Sequence, residues 1–321
     1  MPASASLLPV TLLTGFLGSG KTTLLNAALR ASPAPVGVVV NEFGAIGIDH
    51  DLVEAADEDV VLLAGGCACC AVRSDIAEAL ERLARVRADA GAPPLARIVV
   101  ETTGLADPTP IEQLFVVPGA VASRHRLERV VTTVDACLAA VTAAEDGTWR
   151  KQVALADALV VTKTDLADAI QRAALERLLD EANPHAERHV GALGVHALAG
   201  DGARIAEPRP PLGYLPVHDA AIATHALRLH APVQGDVLSA WLDALVTHYG
   251  SRLLRVKGLV HLAGEARPLA VHAVQHLVAA PRFLEAWPRN DRSTRLVFIT
   301  RGLEANDLLL GYAGAEAPQW A

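Results

Sequence analysis

The stretch that decides the fold of the first half of this chain is Gly15-Phe16-Leu17-Gly18-Ser19-Gly20-Lys21-Thr22-Thr23. It matches the phosphate-binding loop, in which a glycine and four residues precede Gly-Lys-Thr. An apolar run at 7–13 precedes it and a helical pattern at 23–30 follows it, as this loop requires. Lys21 would supply charge to the β and γ phosphates, and the Thr22 hydroxyl suits Mg²⁺. The other phosphate-binding residues predicted from the motif are Gly15, Gly18, Ser19, Gly20 and Thr23.

Apolar runs and helical patterns alternate through the first 200 residues. The runs lie at 7–13, 36–40, 60–63, 98–100, 130–134 and 159–161. Uninterrupted apolar runs are typical of strands buried on both faces, so we expect an α/β fold with a doubly wound, mostly parallel sheet. One intervening helix is indicated by Ile76, Leu80 and Leu83, with Ser74 as its expected N-cap.

A proline-rich stretch divides the chain. It contains Pro208, Pro210, Pro211 and Pro216, which disfavour both helix and central strand. We therefore predict a nucleotide-binding domain at 1–205, a linker at 206–222 and a smaller α+β domain at 223–321. In the last we expect a strand at 225–229, a helix around Trp241, strands at 253–262, 269–277 and 295–300, and a short helix at 305–311.

Composition excludes several classes of protein. The 321 residues are 51% apolar and 20% charged, with a net charge of −8, which fits neither a disordered chain nor a nucleic-acid coat. No apolar run reaches the length of about 18 residues that a membrane helix needs, and no basic residue precedes the first apolar run as in a secretion signal. We expect no membrane partner and a cytoplasmic location, where cysteines are thiols or metal ligands.

Two further motifs extend the nucleotide site. Glu101 ends the run 98–100 and is placed to hold the Mg²⁺ shell, and the backbone N–H of Gly104 could follow the γ-phosphate. After the run 159–161, Asp165 could accept two hydrogen bonds from guanine while the stem of Lys163 lies along the base. The simpler alternatives are a helix-capping glutamate and a solvated Lys–Asp turn.

Three of the four cysteines form a compact cluster. Cys67, Cys69 and Cys70 occupy a glycine-rich turn before the helix expected at Ser74. Thiolates favour Zn²⁺ or Cu⁺, and Glu42 after the second strand is the candidate fourth ligand of a tetrahedral site. The alternatives are three buried small residues, a Cys67–Cys70 redox pair that leaves Cys69 unexplained, and a local turn role for Glu42. We interpret the fourth cysteine, Cys137, as a core residue.

Taken together, five motifs resemble the CobW-like family of metal-handling P-loop GTPases, which is related to the urease and hydrogenase nickel-insertion GTPases. The motifs are GFLGSGKTT (15–23), NEFG (41–44), GGCACC (65–70), ETTGLADP (101–108) and TKTD (162–165). The resemblance implies a GTPase that uses GTP and Mg²⁺, with Lys21 and Glu101 in catalysis and Lys163 and Asp165 on guanine. It also implies binding of Zn²⁺, or alternatively Co²⁺, by Glu42 and the three cysteines, and delivery to a client metalloprotein. Thr162 departs from the asparagine usual among GTPases, and the long His-rich tract of many relatives is missing.

The spacing of these motifs suggests coupling between metal and nucleotide. The metal-binding segments lie between the phosphate loop and Glu101, where GTPases place their switches. The alternatives are a P-loop ATPase or kinase with a structural cysteine loop, and a zinc-buffering protein. We expect the chain to be a monomer or a homodimer. Asp49, His50 and Asp51 could assist Mg²⁺ or water, although solvated polar residues are the simpler interpretation. His272 and His276, four apart in an expected strand, are a weak candidate for a second metal site.

Overall fold

The computed structural model describes residues 7–42, 60–64, 69–89, 91–198, 222–288 and 291–320. The chain divides into two compact units. The first comprises Met1–Leu179 and Ala186–Ala203, and the second comprises Asp180–His185 and Arg204–Ala321. No helix among the described residues is long and apolar enough to cross a membrane.

A parallel sheet organises the first unit. Its strands are β1 (Leu8–Gly15), β2 (Val36–Glu42), β3 (Val60–Ala64), β4 (Arg97–Glu101), β5 (His125–Asp135), β6 (Ala158–Thr162) and β7 (Glu187–Val190). Their order is β3-β2-β4-β1-β5-β6-β7, with every neighbouring pair parallel. This confirms the predicted fold class, and each of the six apolar runs lies on a strand. The seventh strand, with the sequence ERHV, lies at the edge of the sheet and is largely half-buried, so it has no apolar run to predict it from.

Helices connect these strands. They are α1 (Lys21–Ala31), α2 (Cys69–Asp89), α3 (Thr109–Gln113), α4 (Ala120–Arg124), α5 (Ala139–Glu145), α6 (Gly147–Ala154), α7 (Ala169–Ala182) and α8 (Val195–Leu198). The apolar side chains of α2 (Ile76, Leu80 and Leu83) are fully buried, as their spacing predicts. The expected start of this helix at Ser74 is wrong, because α2 already begins at Cys69. Residues 69–73 contain no Gly or Pro, so nothing in the backbone prevents an additional turn.

Two apolar clusters cover the sheet. One packs α2 against residues of β1, β4 and β5, and includes Ile98 and Val130. The other packs α1 and α8 against the same sheet, and includes Leu25 and Val160. Because each fully buried aliphatic side chain contributes about 1.5–3 kcal/mol, these clusters hold the strand ends in fixed positions.

The second unit is an antiparallel sheet with one long helix. Its elements are β8 (Ile222–Leu229), α9 (Gly235–Tyr249), β9 (Leu253–Val260), β10 (Leu269–Val274), β11 (Leu277–Val278), β12 (Arg282–Phe283), β13 (Thr294–Arg301) and β14 (Gln319–Trp320). The strand order is β11-β10-β9-β13-β8-β14, and β12 pairs with β10. Trp241 of α9 is fully buried against Phe298 and donates from Nε1 to the Leu308 carbonyl at 2.8 Å. The α+β prediction is confirmed.

Two details of this unit differ from the prediction. The expected helix at 305–311 is a 3₁₀ turn, Ala305–Leu309. His272 lies in β10, but His276 lies in the tight turn after it and bonds through Nδ1 to the Val246 carbonyl at 3.2 Å. The turn, in which Gln275 has φ 54°, ends the strand that we expected to continue to residue 277. The two histidines therefore do not share one strand face.

Buried histidines predict acid sensitivity. Burial, followed by the charge of nearby His225, lowers the pKa of His185 to about 4. The unfolded chain, with a histidine pKa of about 6.5, binds more protons as the pH falls, so stability present above pH 6.5 is lost towards pH 4. We expect the free energy of unfolding to fall by about 2 kcal/mol between pH 7 and pH 4.5 from this residue. Urea titrations at several pH values measure this free energy. It should depend less on pH in His185→Gln than in wild type, whereas the exposed control His230→Gln should behave as wild type. The same pH dependence in wild type and both variants would contradict the assignment.

Candidate functional site

The carboxyl ends of the parallel strands form one continuous edge. Because β3, β2, β4, β1, β5 and β6 are neighbours in that order, the segments that follow them meet at this edge. The phosphate loop follows β1, Glu101 ends β4, and Thr162 ends β6. The fold therefore brings the three nucleotide motifs to one side of the sheet.

The phosphate loop has the backbone its glycines permit. Gly20, with φ 90°, is the N-cap residue of α1 in a left-handed conformation that favours glycine. The Ser19 N–H donates to the Phe16 carbonyl at 3.2 Å and its hydroxyl to the same oxygen at 2.7 Å. Lys21 Nζ lies across the loop and donates to the carbonyls of Gly15 (3.0 Å) and Phe16 (3.2 Å). A phosphate oxygen could therefore replace either of these carbonyl acceptors of the ammonium group.

The predicted magnesium ligands are in direct contact. The Thr22 hydroxyl donates to Glu101 Oε1 at 2.7 Å, and Glu101 is only 4% exposed. Thr102 holds this strand end by donating from its N–H to the Leu13 carbonyl at 2.9 Å. A hydroxyl and a carboxylate are hard oxygen donors, so the residues present fit Mg²⁺. With the ion bound, it would supply Lewis-acid stabilisation of phosphate charge.

Gly104 lies against the phosphate loop. A Cβ atom at Gly104 would lie 2.5 Å from the Leu17 nitrogen and 2.7 Å from its Cα. Both are backbone atoms, so a larger residue would displace one of the two segments. The predicted γ-phosphate residue and the phosphate loop are thus in contact, while Thr23 is exposed in the first turn of α1.

Thr162 braces the loop although it replaces the usual asparagine. Its hydroxyl lies 2.8 Å from the Ser19 carbonyl and 3.2 Å from that of Val134. It therefore links β6 to the phosphate loop and to β5.

Lys163 and Asp165 lie at the same edge. Lys163 has φ 55°, a left-handed conformation that is unusual for a non-glycine residue and is concentrated at functional sites. Its Nζ lies 2.6 Å from Asp135 Oδ2. Asp165 is exposed, and among the residues that the structure describes its carboxylate has no hydrogen-bond or ion-pair partner. It is therefore available for the two guanine donors.

Sequence reasoning missed Asp135, which is buried at the end of β5. Its Oδ1 accepts the N–H groups of Cys137 (2.8 Å) and Leu138 (3.3 Å), while Oδ2 holds Lys163. The signal was available, because Asp135 ends a strand as Glu101 does. The interpretation of Cys137 as core is wrong: it is half-buried, and its Sγ lies 3.8 Å from the Lys163 carbonyl. It follows directly on the strand end that positions Lys163, which places it at the edge rather than beneath the sheet.

The proposed metal ligands are only partly covered by the described residues. The backbone of Glu42 ends β2, and the backbones of Cys69 and Cys70 begin α2, so these two cysteines lie in a helix rather than the predicted turn. Cys67 and the segment with Asp49, His50 and Asp51 lie outside the described residues, as do the side chains of Glu42, Cys69 and Cys70. Within the described ranges no group of three or more His, Cys, Asp or Glu could hold a metal ion.

Comparison with known families decides the relationship. Residues 9–189 match the CobW/HypB/UreG nucleotide-binding domain, and residues 222–311 match the cobalamin synthesis protein CobW C-terminal domain. The chain belongs to the CobW family. It is a P-loop GTPase, in agreement with the resemblance of its motifs.

Two relatives and one solved structure show what this CobW-family chain is similar to. It is 30% identical over 313 residues to the zinc chaperone YjiA of Escherichia coli, covering 95% of this chain and 98% of that protein. It is 37% identical over 166 residues to the zinc-regulated GTPase metalloprotein activator 1 of Schizosaccharomyces pombe, covering 49% and 39%. The crystal structure of the Zn(II)-bound YjiA GTPase from E. coli matches with a TM-score of 0.69 at 26% identity, covering 97% of this chain and 99% of that one.

Proposed function

We propose that this GTPase is a zinc metallochaperone that transfers its metal to a client metalloprotein, with metal binding coupled to the nucleotide state. Zn²⁺, with Co²⁺ as the alternative, is the cargo, and GTP with Mg²⁺ supplies the switch. The proposed ligands are Cys67, Cys69, Cys70 and Glu42, which make a tetrahedral thiolate and carboxylate set. The names of the relatives, zinc chaperone and zinc-regulated activator, support the choice of metal. The proposal places the protein in the cytoplasm, as a monomer or homodimer.

The observation that carries this proposal is the order of four adjacent strands. In β3-β2-β4-β1, β3 leads to the cysteines, β2 ends at Glu42, β4 ends at Glu101 and β1 leads to the phosphate loop. Glu42 pairs with Ala64 at the end of β3, and Val40, two residues before it, pairs with Glu101. The segments with the proposed Zn²⁺ ligands and the segment that begins at Glu101 therefore leave neighbouring strands. Along the strands, their starting points differ by only two residues. A rearrangement around the γ-phosphate at β4 would act directly on the strand end that carries Glu42.

Reciprocal affinity measurements test the coupling. We expect the Zn²⁺ affinity, measured against a chromophoric chelator, to differ at least about fivefold between protein bound to Mg²⁺–GDP and protein bound to the Mg²⁺ complex of a non-hydrolysable GTP analogue. By linkage, Zn²⁺ must change the affinity ratio of the two nucleotides by the same factor. Equal Zn²⁺ affinities in both states would exclude coupling and favour the zinc-buffer alternative.

The cysteines provide a matched control for this experiment. The variant with Cys67, Cys69 and Cys70 all replaced by Ala should lose tight Zn²⁺ binding, whereas Cys137→Ala should retain the wild-type stoichiometry. Retention of stoichiometric zinc in the triple variant would overturn the proposed ligand set. The ATPase or kinase alternative would be supported if the protein hydrolysed ATP as fast as GTP and if its Zn²⁺ affinity did not depend on the bound nucleotide.

A further inference from the structure

Helix α6 contacts residues 101–108, the γ-phosphate segment, through a buried amide. Gln152, 1% exposed, donates from Nε2 to the carbonyls of Gly104 (3.1 Å) and Ala106 (3.0 Å). One side chain therefore holds the carbonyl groups of the two residues that flank Leu105. Its Oε1 is buried without a hydrogen-bond partner among the described residues, so the two carbonyls alone decide the orientation of the amide.

The preceding residue of α6, Lys151, holds the end of the same segment. Lys151 Nζ forms an ion pair with Asp107 Oδ2, and the ammonium side chain is only 14% exposed. Asp107 Oδ1 also accepts the Thr109 N–H at 2.9 Å at the start of α3. Lys151 is one of the four lysines of the chain and lies outside the motifs recognised in the sequence.

The segment is therefore held at both ends. Its first residues are attached to β1, because the Thr102 hydroxyl donates to Thr14 Oγ1 at 3.0 Å, and to the start of α1, because Glu101 accepts from the Thr22 hydroxyl. Its last residues are attached to α6. Between these anchors Gly104 is in tight contact with Leu17 of the phosphate loop. A change at either anchor would alter that contact.

Helix α6, which carries Gln152 and Lys151, is itself fixed to the sheet. The carbonyl of Gln152 accepts from the hydroxyl of Thr132 on β5 at 2.9 Å, and neighbouring Trp149 is 3% exposed. The start of α6 is capped by Asp146, whose side chain accepts the Thr148 N–H at 2.7 Å. Because α6 is fixed to the central sheet, the Gln152 amide has a defined position relative to the phosphate loop.

We propose that Gln152, assisted by Lys151, is a positioning residue. It holds the carbonyl of Gly104, and thereby orients the N–H of the same residue towards the γ-phosphate. The inference rests on the proposed role of Gly104 and adds the residue that orients it. GDP has no γ-phosphate, so loss of the amide acts on GTP binding and hydrolysis and leaves GDP binding nearly unchanged. Loss of a residue with a merely structural role would weaken the binding of GTP and of GDP to the same extent.

Nucleotide affinities of Gln152→Met test this directly. Methionine keeps the length of the side chain but removes the donor. We expect the Mg²⁺ complex of the non-hydrolysable analogue GppNHp to bind about tenfold more weakly, and Mg²⁺–GDP to bind within about twofold of wild type. The KM for GTP should rise by a similar factor, because KM approaches the dissociation constant when hydrolysis is slow, and kcat should fall as well. The matched control is Arg150→Met on the same helix, which removes a 2.9 Å bond from Nε to the Ala143 carbonyl, away from the segment.

Three outcomes separate the explanations. An unchanged ratio of GppNHp to GDP affinity in Gln152→Met, or an equal loss of both, overturns the positioning role. If Gly104→Ala also leaves this ratio unchanged, the proposed γ-phosphate role of Gly104 is itself wrong. If Gly104→Ala lowers the ratio and Gln152→Met does not, only the Gln152 proposal fails. Should Gln152→Met fold poorly, the more exposed Asp107→Asn, which breaks the ion pair with Lys151, must still lower the ratio by about threefold, or the proposal is wrong.

Discussion

Replacing Asp165 by Asn is expected to lower the affinity for GTP about a hundredfold and to raise the affinity for XTP by a similar factor. The exposed carboxylate of Asp165 has no competing partner among the described residues, so both of its oxygens can accept from the N1–H and exocyclic amine of guanine. An asparagine offers one acceptor and one donor. It therefore suits xanthine, which has N1–H beside a carbonyl oxygen.

Competition binding with GDP and XDP, followed by turnover of GTP and XTP, measures this change of specificity. Asp168→Asn is the matched control: it makes the same substitution three residues later, where the side chain accepts the Gln171 N–H. Asp168→Asn should keep the preference for guanine. Unchanged GTP preference in Asp165→Asn would show that another residue reads the base.

The sequence predicts the sheet well because the strands are buried on both faces. A continuous apolar run such as 98–100 indicates its strand directly. Five of the six other strands of this sheet contain a run that is continuous or interrupted only by small or β-branched residues. The edge strand β7 differs: its Glu187 pairs with Arg129 at 3.4 Å, so charge replaces apolar burial and no pattern is left to detect. The start of α2 was missed because Ser74 is a good N-cap, and an available cap does not prevent a helix from beginning earlier.

The candidate site follows from the sequence only as far as local motifs extend. The phosphate loop, Glu101 and the TKTD segment are local patterns with a known strand and helix context. Asp135 required knowing that β5 lies between β1 and β6, although its position at the end of a strand is visible in the sequence. Gln152 acts on Gly104 across 48 residues, and no spacing rule predicts such a pair. Three of the four lysines also mark this part of the fold, because Lys21, Lys151 and Lys163 contact Gly15, Asp107 and Asp135 respectively, in or after strands of the parallel sheet.

The second large effect is expected for Glu101→Gln. Glutamine keeps an oxygen that can accept from the Thr22 hydroxyl, as Oε1 does now at 2.7 Å, so local packing is retained. It removes the negative charge, however, from a group that is 4% exposed and therefore little screened by water. We expect Mg²⁺-dependent GTP turnover to fall by about 10²–10³-fold, because the proposed ion shell loses the charge of the Glu101 carboxylate.

Titration of Mg²⁺ at saturating GTP distinguishes this role from a structural one. In Glu101→Gln the Mg²⁺ concentration for half-maximal turnover should rise, whereas nucleotide binding without Mg²⁺ should change little. Glu128→Gln is the matched control: Glu128 is also buried, but it lies at the start of β5 and pairs with Arg97 and Arg126. That variant should lower the melting temperature, since two ion pairs lose their partner, without changing the Mg²⁺ requirement. If Glu101→Gln keeps the wild-type Mg²⁺ dependence, the ion is held elsewhere on the edge. The buried bond to Thr22 would then serve only to join β4 to the phosphate loop.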